Sequence, residues 1–464
     1  MLRPLLHTDD SYNISTLNLS IHTKLIFPID NCKRLQYNKI QDIVIVYNCC
    51  EKLERGTEMK FRKTLSALLA VSALFLFAAC NNGSDNTDNG GSSDNSGTDS
   101  TIDNSGDIGI MRENFTSAQL VDEMHIGWNL GNTLDVCQAD RDGDGIINEH
   151  AEEGEEVDET LWGNVMTTSE LFDKLKGYGI NAVRIPVTWR DHLNEDDSIK
   201  ESWMDRVQEV VDYAIDRGFY VIINMHHDGG DDAKFGAWLR QYALEDYGKF
   251  YARYSKMWNQ IADRFRDYSD YLIFESMNEV GFDALPEADA FALLNKINQD
   301  FVDLIRASGG NNEKRHLLIA GYWTDVAETC KPLFKMPEDT IADRLILSVH
   351  YYTPWELIAG QQKTWGSDAD INLMTSKMNQ LKTTFVDNGV PVIIGEYAGG
   401  GANKEQTYYC EYLVKLCKDM HAACFLWDNG GILDRTTYIW RVNGLIDGLN
   451  RAASGEDYEV TKAP

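Results

Sequence analysis

The stretch that decides the fold is residues 271–280, YLIFESMNEV, in which an apolar run passes into polar side chains. The run Leu272–Phe274 is aliphatic and aromatic, which favours a strand buried on both faces. Asn278 and Glu279 follow at its polar end. A carboxylate in that place is typical of a parallel α/β barrel, whose active site lies at the carboxyl ends of its strands. For this stretch alone, a Glu that caps the next helix is the alternative.

A second stretch has the same design. Residues 390–397, VPVIIGEY, place Glu396 at the polar end of another apolar run. Hydrolysis of a glycosidic bond needs two carboxyl groups, one that protonates the leaving oxygen and one that acts as nucleophile or base on the opposite face of the sugar. Glu275 precedes Glu279 on the first stretch and lies deeper, and we interpret it as the partner of a buried cation inside the barrel.

Length, composition and charge limit the classes of function. The chain has 464 residues, 43% of them hydrophobic, and eleven tryptophans, which suffices for one large barrel with long loops. Its net charge of −30 argues against a nucleic acid or an anionic membrane surface as partner, because phosphate groups are bound by clustered Lys and Arg. A neutral substrate and a monomeric protein are expected.

An export signal is predicted ahead of the folded part. Residues 59–80, MKFRKTLSALLAVSALFLFAAC, have a basic start and an apolar run too short to span a bilayer. The small residues before Cys80 resemble a bacterial lipoprotein signal. That resemblance implies a lipid anchor on Cys80, through which alone the protein contacts a membrane. An ordinary secretion signal is the alternative, so the protein is expected at the cell surface or outer membrane, or secreted.

The remaining segments are assigned by their position and composition. Residues 1–58 precede the signal, and we interpret them as a non-native upstream segment, with translation starting at Met59. Residues 81–109 are rich in Ser, Asn, Asp and Gly and predict a flexible polar linker. Residues 110–455 are predicted to form a single catalytic domain. The cysteines of that domain are irregularly spaced, which favours free thiols over disulfides.

Eight strand-like runs alternate with amphipathic helical patterns such as Trp203–Arg217 and Asp246–Phe265. This alternation predicts a closed parallel sheet, the (β/α)8 TIM barrel of the α/β class. The predicted strands are His125–Asn129, Ala182–Val187, Tyr220–His227, Leu272–Glu279, His316–Tyr322, Leu345–Tyr352, Val390–Tyr397 and Ala423–Asp428.

The predicted strand ends carry ionisable, amide and aromatic side chains. Period-two alternation puts His350 and Tyr352 on one side of their strand and Tyr351 on the other. Each residue alone has an ordinary structural explanation, but their convergence on one edge of the barrel favours an active site. The candidates are Arg184, His226, His227, Asn278, Glu279, His350, Tyr352, Glu396 and Trp427, with Trp128, Trp162, Trp189, Trp238 and Trp355 as further sugar platforms or core residues.

These motifs resemble those of glycoside hydrolase family 5, the cellulase family, and most of all its broad endoglucanase and xyloglucanase branch. The resemblance covers about residues 111–450. The motifs that carry it are IGWNLGNTLD (126–135), TLWGN (160–164), NAVRIPVTW (181–189), VIINMHHD (221–228), LIFESMNE (272–279), LILSVHYYTPW (345–355), PVIIGEY (391–397) and FLWDNGGILDR (425–435).

The resemblance implies a retaining endo-β-1,4-glucanase, a cellulase that acts on β-glucan through a glycosyl-enzyme intermediate and needs no cofactor for catalysis. It makes Glu279 the acid/base and Glu396 the nucleophile, so the pKa of Glu279 should be raised and that of Glu396 lowered. The resemblance also implies that Arg184 and Tyr352 support Glu396, and that His226 and His350 flank the two carboxylates. Asn278 would bind the sugar 2-hydroxyl, and His227 would contact the substrate. Trp427 would stack under the −1 sugar.

The substrate and the class of protein stay open at this point. On the same machinery, the substrate could be xyloglucan, mixed-linkage glucan or mannan, because that choice depends on loop shape. A surface glycan-binding protein without turnover is the non-enzymatic alternative. Loss of one carboxylate is typical of that class, and here both Glu279 and Glu396 stand in intact motifs.

An acidic loop between two of the motifs predicts a metal site. Residues 137–158 place acidic side chains at alternate positions before Gly145, which matches the first half of a calcium-binding loop. Ala151 stands where such loops carry a bidentate Glu, so the match is partial. A structural Ca²⁺ is the prediction and a solvated acidic loop the alternative. The predicted ligands are Asp140, Asp142, Asp144 and Asn148.

Overall fold

The computed structural model describes residues 110–138, 157–230, 237–401 and 403–462. Within these ranges, eight parallel strands pair in chain order, and the last pairs with the first to close a barrel. The predicted (β/α)8 architecture is therefore confirmed. The strands are β1 Gly127–Leu130, β2 Ala182–Ile185, β3 Tyr220–Asn224, β4 Leu272–Glu275, β5 Leu317–Asp325, β6 Leu345–Tyr351, β7 Val392–Tyr397 and β8 Ala423–Asp428.

Helices connect the strands. Asp246 shows why one of them begins where it does, because its side chain accepts hydrogen bonds from the N–H groups of Gly248 and Lys249. No helix in the described ranges is both long and apolar enough to cross a bilayer. The α-helices are Ser117–Glu123, Ser169–Gly177, Glu201–Ile215, Trp238–Glu245, Tyr247–Arg264, Glu287–Ala307, Val326–Thr329, Trp355–Ile358, Asp368–Thr384, Asn403–Asp419 and Leu445–Ala453, and the 3₁₀ turns are Arg190–His192, Gly310–Glu313 and Val386–Asn388.

Four strands end before the residues that the sequence analysis assigned to them. β2 ends at Ile185 rather than Val187, β3 at Asn224 rather than His227, β4 at Glu275 rather than Glu279, and β6 at Tyr351 rather than Tyr352. Glu279 has a φ of 48°, in the left-handed region that a strand does not use. The predicted β4 was therefore too long, and Glu279 stands on the loop that follows it.

The strand β5 runs past its predicted end at Tyr322 to Asp325. Its pairing with β6 is irregular between Ala320 and Asp325, which marks a bulge. Trp323 and Thr324 lie within the bulge with φ values of 52° and 51°. The extra residues change the direction of the strand end, which apolar patterning does not reveal.

The cysteines of the barrel are free thiols, as predicted. Cys137, Cys410, Cys417 and Cys424 are buried and Cys330 is half-buried. Burial raises the pKa of the Cys410 thiol, which keeps it protonated and unreactive at neutral pH. These residues therefore act as small apolar side chains of the core.

Candidate active site

Arg184 lies at the centre of the barrel mouth, fully buried on β2. Its Nε donates to Glu275 Oε2 at 2.7 Å and its Nη1 to Glu396 Oε1 at 2.7 Å. Its Nη2 donates to Asn278 Oδ1 at 2.9 Å. Burial lowers the pKa of Arg184, but the two carboxylates raise it by more, so the group stays cationic. One guanidinium therefore ties the strand-end residues of β4 and β7 into a single network.

Glu275 is the buried partner of that cation, as predicted. Its other bonds come from Asn224 Nδ2 at 3.0 Å and from the Ser348 hydroxyl at 2.7 Å. Asn129 Oδ1 accepts from Arg184 Nη1 at 3.1 Å. The sequence analysis missed Asn129, Asn224 and Ser348. The available signal was a polar side chain within or at the end of a largely apolar strand, since such a residue needs a partner when buried.

The two candidate carboxylates face each other across the mouth. Glu396 on β7 is opposite His350 on β6, and Tyr352 Oη donates to Glu396 Oε2 at 2.8 Å. One carboxylate oxygen of Glu279 lies within 4.8 Å of one of Glu396. Oxygens closer than 4.8 Å fit a retaining glycosidase, whose carboxyl groups are about 5–5.5 Å apart, and are too close for the roughly 6.5–9.5 Å of inverting ones.

His350 lies between these carboxylates. Its Nδ1 is 2.8 Å from Glu279 Oε1 and 3.7 Å from Glu396 Oε2. Burial lowers the pKa of His350, but the charges of Glu396 and Glu279 raise it above its ordinary value. Burial raises the pKa of Glu279, yet the hydrogen bond and charge of His350 lower it by more. For Glu396, the increase in pKa caused by burial exceeds the decrease caused by His350 and Arg184.

The pKa of Glu279 is therefore lowered and that of Glu396 raised, the reverse of the order predicted from their roles. The cause is His350, whose imidazolium form faces Glu279 more closely than Glu396. The side chain of Glu279 is 41% exposed, against 6% for Glu396. The contact with His350 favours the ionised form of Glu279, although burial opposes it.

A second histidine and an indole form the wall beside Glu396. The rings of His226 and Trp427 stack with centroids 5.5 Å apart and planes 9° apart. His226 Nε2 is 4.0 Å from Glu396 Oε1. Burial lowers the pKa of His226 well below its ordinary value, and the charges of His227 and Arg184 add to this, so the imidazole is neutral.

His227 belongs to the outer part of the cleft. Its Nε2 is 3.8 Å from Asp135 Oδ2, and its ring centroid is 5.5 Å from that of Trp162. Asp135 is fully buried and was missed by the sequence analysis. Burial raises the pKa of Asp135 to about 6, opposed by the N–H groups of Thr133 and Asn132 that donate to it.

The further tryptophan candidates fall into two groups, those buried in the core and those with exposed ring surface. Trp128, Trp189 and Trp238 are at most 2% exposed and belong to the core. Trp355 is 63% exposed, and Trp162 is half-buried beside His227. Only the last two therefore have ring surface that a sugar could contact.

Comparison with known proteins gives the family. The model described as cellulase (glycosyl hydrolase family 5) matches residues 142–431. Endoglucanase B of Neocallimastix patriciarum is 36% identical over 368 residues, which cover 73% of this chain and 73% of that protein. The chain belongs to glycosyl hydrolase family 5. The predicted glycoside hydrolase class is thereby confirmed.

Solved family 5 structures share the barrel. A tri-modular subfamily 4 endo-β-1,4-glucanase from Bacillus licheniformis, complexed with cellotetraose, has a TM-score of 0.63 and 32% identity over 73% of this chain. The match spans 61% of that longer enzyme. A family 5 xyloglucanase from Paenibacillus pabuli has a TM-score of 0.65 and 30% identity, covering 72% of this chain and 100% of that one.

Catalysis by family 5 enzymes needs no cofactor. The predicted calcium ligands Asp140, Asp142, Asp144 and Asn148 lie outside the described residues. In the described part of the chain, two groups of three side chains have ligand atoms within 4.8 Å of one another, and both lie in the cleft. They are Glu279, His350 and Glu396, and Asp135, His226 and His227.

Proposed function

We propose that this chain is a retaining endo-β-1,4-glucanase that cleaves internal bonds of β-1,4-glucan through a glycosyl-enzyme intermediate. The observation that carries the proposal is the short distance between the Glu279 and Glu396 carboxylates, which leaves no room for a water between nucleophile and sugar. The endoglucanase relatives and the cellotetraose-bound neighbour support a β-1,4-glucan as substrate.

In the first step, Glu396 attacks the anomeric carbon while Glu279 protonates the leaving oxygen. Bonds from Arg184 and Tyr352 orient the attacking carboxylate. A glucan chain over the half-exposed Glu279 removes water from it, which raises its pKa towards the protonated form that an acid requires. His350 is placed to exchange that proton, since its Nδ1 lies 2.8 Å from Glu279 Oε1.

In the second step, water attacks the anomeric carbon and Glu396 departs as a carboxylate. Once Glu396 is an ester its negative charge is gone, so the pKa of Glu279 falls and the group serves as base towards the water. The same residue thus acts first as acid and then as base. Two inversions at one carbon give net retention.

The cleft walls provide contacts for the sugar. Asn278 Oδ1 is occupied by Arg184, which directs its Nδ2 donor to the 2-hydroxyl of the −1 sugar. Trp427 presents the flat apolar face that sugar C–H groups favour. His227 and Trp162 extend the same wall outwards.

Within family 5, we propose that the chain belongs to the broad endoglucanase and xyloglucanase branch. The xyloglucanase neighbour supports xyloglucan as the second candidate substrate, ahead of mixed-linkage glucan and mannan. A glycan-binding protein without turnover would not need the Arg184, Tyr352 and Glu396 arrangement, so we favour an enzyme.

The stereochemical outcome tests this proposal. We expect release of soluble fragments from dyed carboxymethylcellulose, and proton NMR of cellooligosaccharide hydrolysis should show the β-anomer first. A panel with xyloglucan, mixed-linkage glucan and mannan ranks the substrates. A first-formed α-anomer would contradict the assignment of both carboxylates.

Export as a lipoprotein anchored at Cys80, at the cell surface or outer membrane, is also our proposal. It rests on the signal-like residues 59–80, which with the proposed linker 81–109 lie outside the described residues. The intact mass of natively expressed protein distinguishes a lipidated Cys80 from a start at Met1.

A structural Ca²⁺ on the acidic loop is proposed from its ligand spacing alone. We expect millimolar calcium to raise the melting temperature relative to chelator, because a ligand that binds only the folded state stabilises it. Asp142→Ala with Asp144→Ala should abolish that difference. An unchanged melting temperature in the unmodified protein would leave the solvated-loop alternative.

A further inference from the structure

The loop that carries Glu279 is fastened to the bulged end of β5. Trp323 N–H donates to Val280 O at 2.9 Å, and Phe282 N–H donates to Tyr322 Oη at 2.9 Å. The residues that follow Glu279 are therefore held within a short distance of the bulge. Because Glu279 has a φ of 48°, its carboxylate direction depends on the loop that fixes this backbone conformation.

Asp283 closes this arrangement with both of its carboxylate oxygens. Tyr322 Oη donates to Oδ1 at 2.9 Å, and Trp323 Nε1 donates to Oδ2 at 2.9 Å. The Tyr322 hydroxyl thus accepts from the loop backbone and donates to the loop side chain. Two neighbouring residues of β5 are in this way bonded to the loop, Tyr322 through its side chain and Trp323 through both its backbone and its side chain.

The indole of Trp323 packs directly on Gly281. A Cβ at Gly281 would come within 2.2 Å of Trp323 Nε1, so this close approach requires glycine. Arg240 Nε donates to Gly281 O at 2.8 Å, and its guanidinium lies 5.3 Å from the Trp323 ring centroid. Gly281 is therefore held by contacts with both the bulge and Arg240.

The left-handed backbone of the bulge is what turns the indole towards the loop. Trp323 and Thr324 have φ values of 52° and 51°, a conformation that is costly for residues other than glycine. Such strain persists only where surrounding contacts hold it, and it concentrates at functional sites. Here those contacts are the bonds to Asp283 and Val280.

We propose that Tyr322, Trp323 and Asp283 form a clamp that positions Glu279 for proton transfer. The clamp acts through the loop backbone, so these are positioning residues for the acid/base step. This inference rests on the proposed function, in which Glu279 is the acid/base. Small misplacement of a reacting group costs up to about 10²-fold in rate, which gives the clamp a measurable effect.

Leaving-group dependence tests the clamp. Tyr322→Phe removes the bridging hydroxyl and keeps the ring, which stacks on Phe291 at 4.2 Å. We expect its kcat/KM to fall about tenfold on a cellobioside with a poor leaving group such as phenolate, and by less than about twofold with dinitrophenolate, which needs no protonation. Asp283→Ala should behave in the same way, and the double variant should lose little more than either single variant.

Two reference variants make the result decisive. Tyr247→Phe removes a comparable Tyr–Asp bond, 2.6 Å to Asp300 between two outer helices, and should leave the ratio of the two kcat/KM values unchanged. Glu279→Ala should show the full leaving-group dependence. If Glu279→Ala lacks this leaving-group dependence, the proposed function fails. If Glu279→Ala shows it, but the clamp variants lower the kcat/KM values of the two cellobiosides equally or lower neither, the clamp is refuted. Should Tyr322→Phe not fold, Asp283→Ala, at an exposed position, carries the test.

Discussion

Replacing Glu396 by alanine is expected to lower kcat on cellooligosaccharides by a factor on the order of 10⁴ to 10⁶, as for other removed nucleophiles. Without this carboxylate no glycosyl-enzyme ester forms. Azide can occupy the vacated space and attack the anomeric carbon directly, so it should restore turnover of an activated cellobioside and give a glycosyl azide of inverted configuration. Initial rates and proton NMR of the azide product provide the measurement.

Glu279→Ala is the matched variant, because it removes the other carboxylate of the pair and leaves the nucleophile. With an activated substrate, the first step still proceeds and the covalent intermediate accumulates, since no base assists water. Azide, which needs no base, should then give a product of retained configuration. If azide rescues both variants with the same configuration, the two roles have been assigned wrongly.

Arg184→Ala is expected to lower the free energy of unfolding by about 3–5 kcal/mol, the usual cost of breaking a buried ion pair by removing one partner. The substitution leaves Glu275 and Glu396 in the barrel without the cation that both contact at 2.7 Å. Urea unfolding followed by tryptophan fluorescence measures the change. Activity should fall as well, because Glu396 loses the donor that orients it.

Combining Arg184→Ala with Glu275→Gln provides the control. The second substitution removes one of the two uncompensated charges, so the double variant should unfold at a higher urea concentration than Arg184→Ala alone. A loss below about 1 kcal/mol for Arg184→Ala would mean that the guanidinium does not hold this network together.

The sequence predicted the barrel and most of the site because both follow from local patterns. Apolar runs separated by amphipathic helices gave eight strands, and alternation within β6 put His350 and Tyr352 on the side that faces Glu396. Strand ends of a parallel barrel meet at one edge, so residues distant in sequence could be placed together.

The remainder depended on contacts that no local pattern contains. Asn224 and Ser348 became identifiable only when the register placed them beside Glu275. The bulge at Trp323 and the left-handed conformation of Glu279 arise from the pairing of the strands and loops around them.

The order of the two pKa values could not be read from the sequence either. It is set by the distances of 2.8 and 3.7 Å from His350 to the two carboxylates, because the nearer carboxylate is the more strongly favoured in its ionised form. Likewise, Trp128 and Trp355 were both candidates for a sugar platform, yet one is fully buried and the other 63% exposed. Exposure depends on which loops cover a side chain, and that is a property of the assembled barrel.

The most direct test of the account is to identify the residue that becomes covalently bonded to the sugar. The enzyme is incubated with 2-deoxy-2-fluoro-cellobiosyl fluoride, which slows the second step so that the intermediate persists, and is then digested and sequenced by mass spectrometry. The account predicts one fluorocellobiosyl group per chain, attached to Glu396. Attachment to Glu279, or turnover of the reagent without any covalent intermediate, would contradict it.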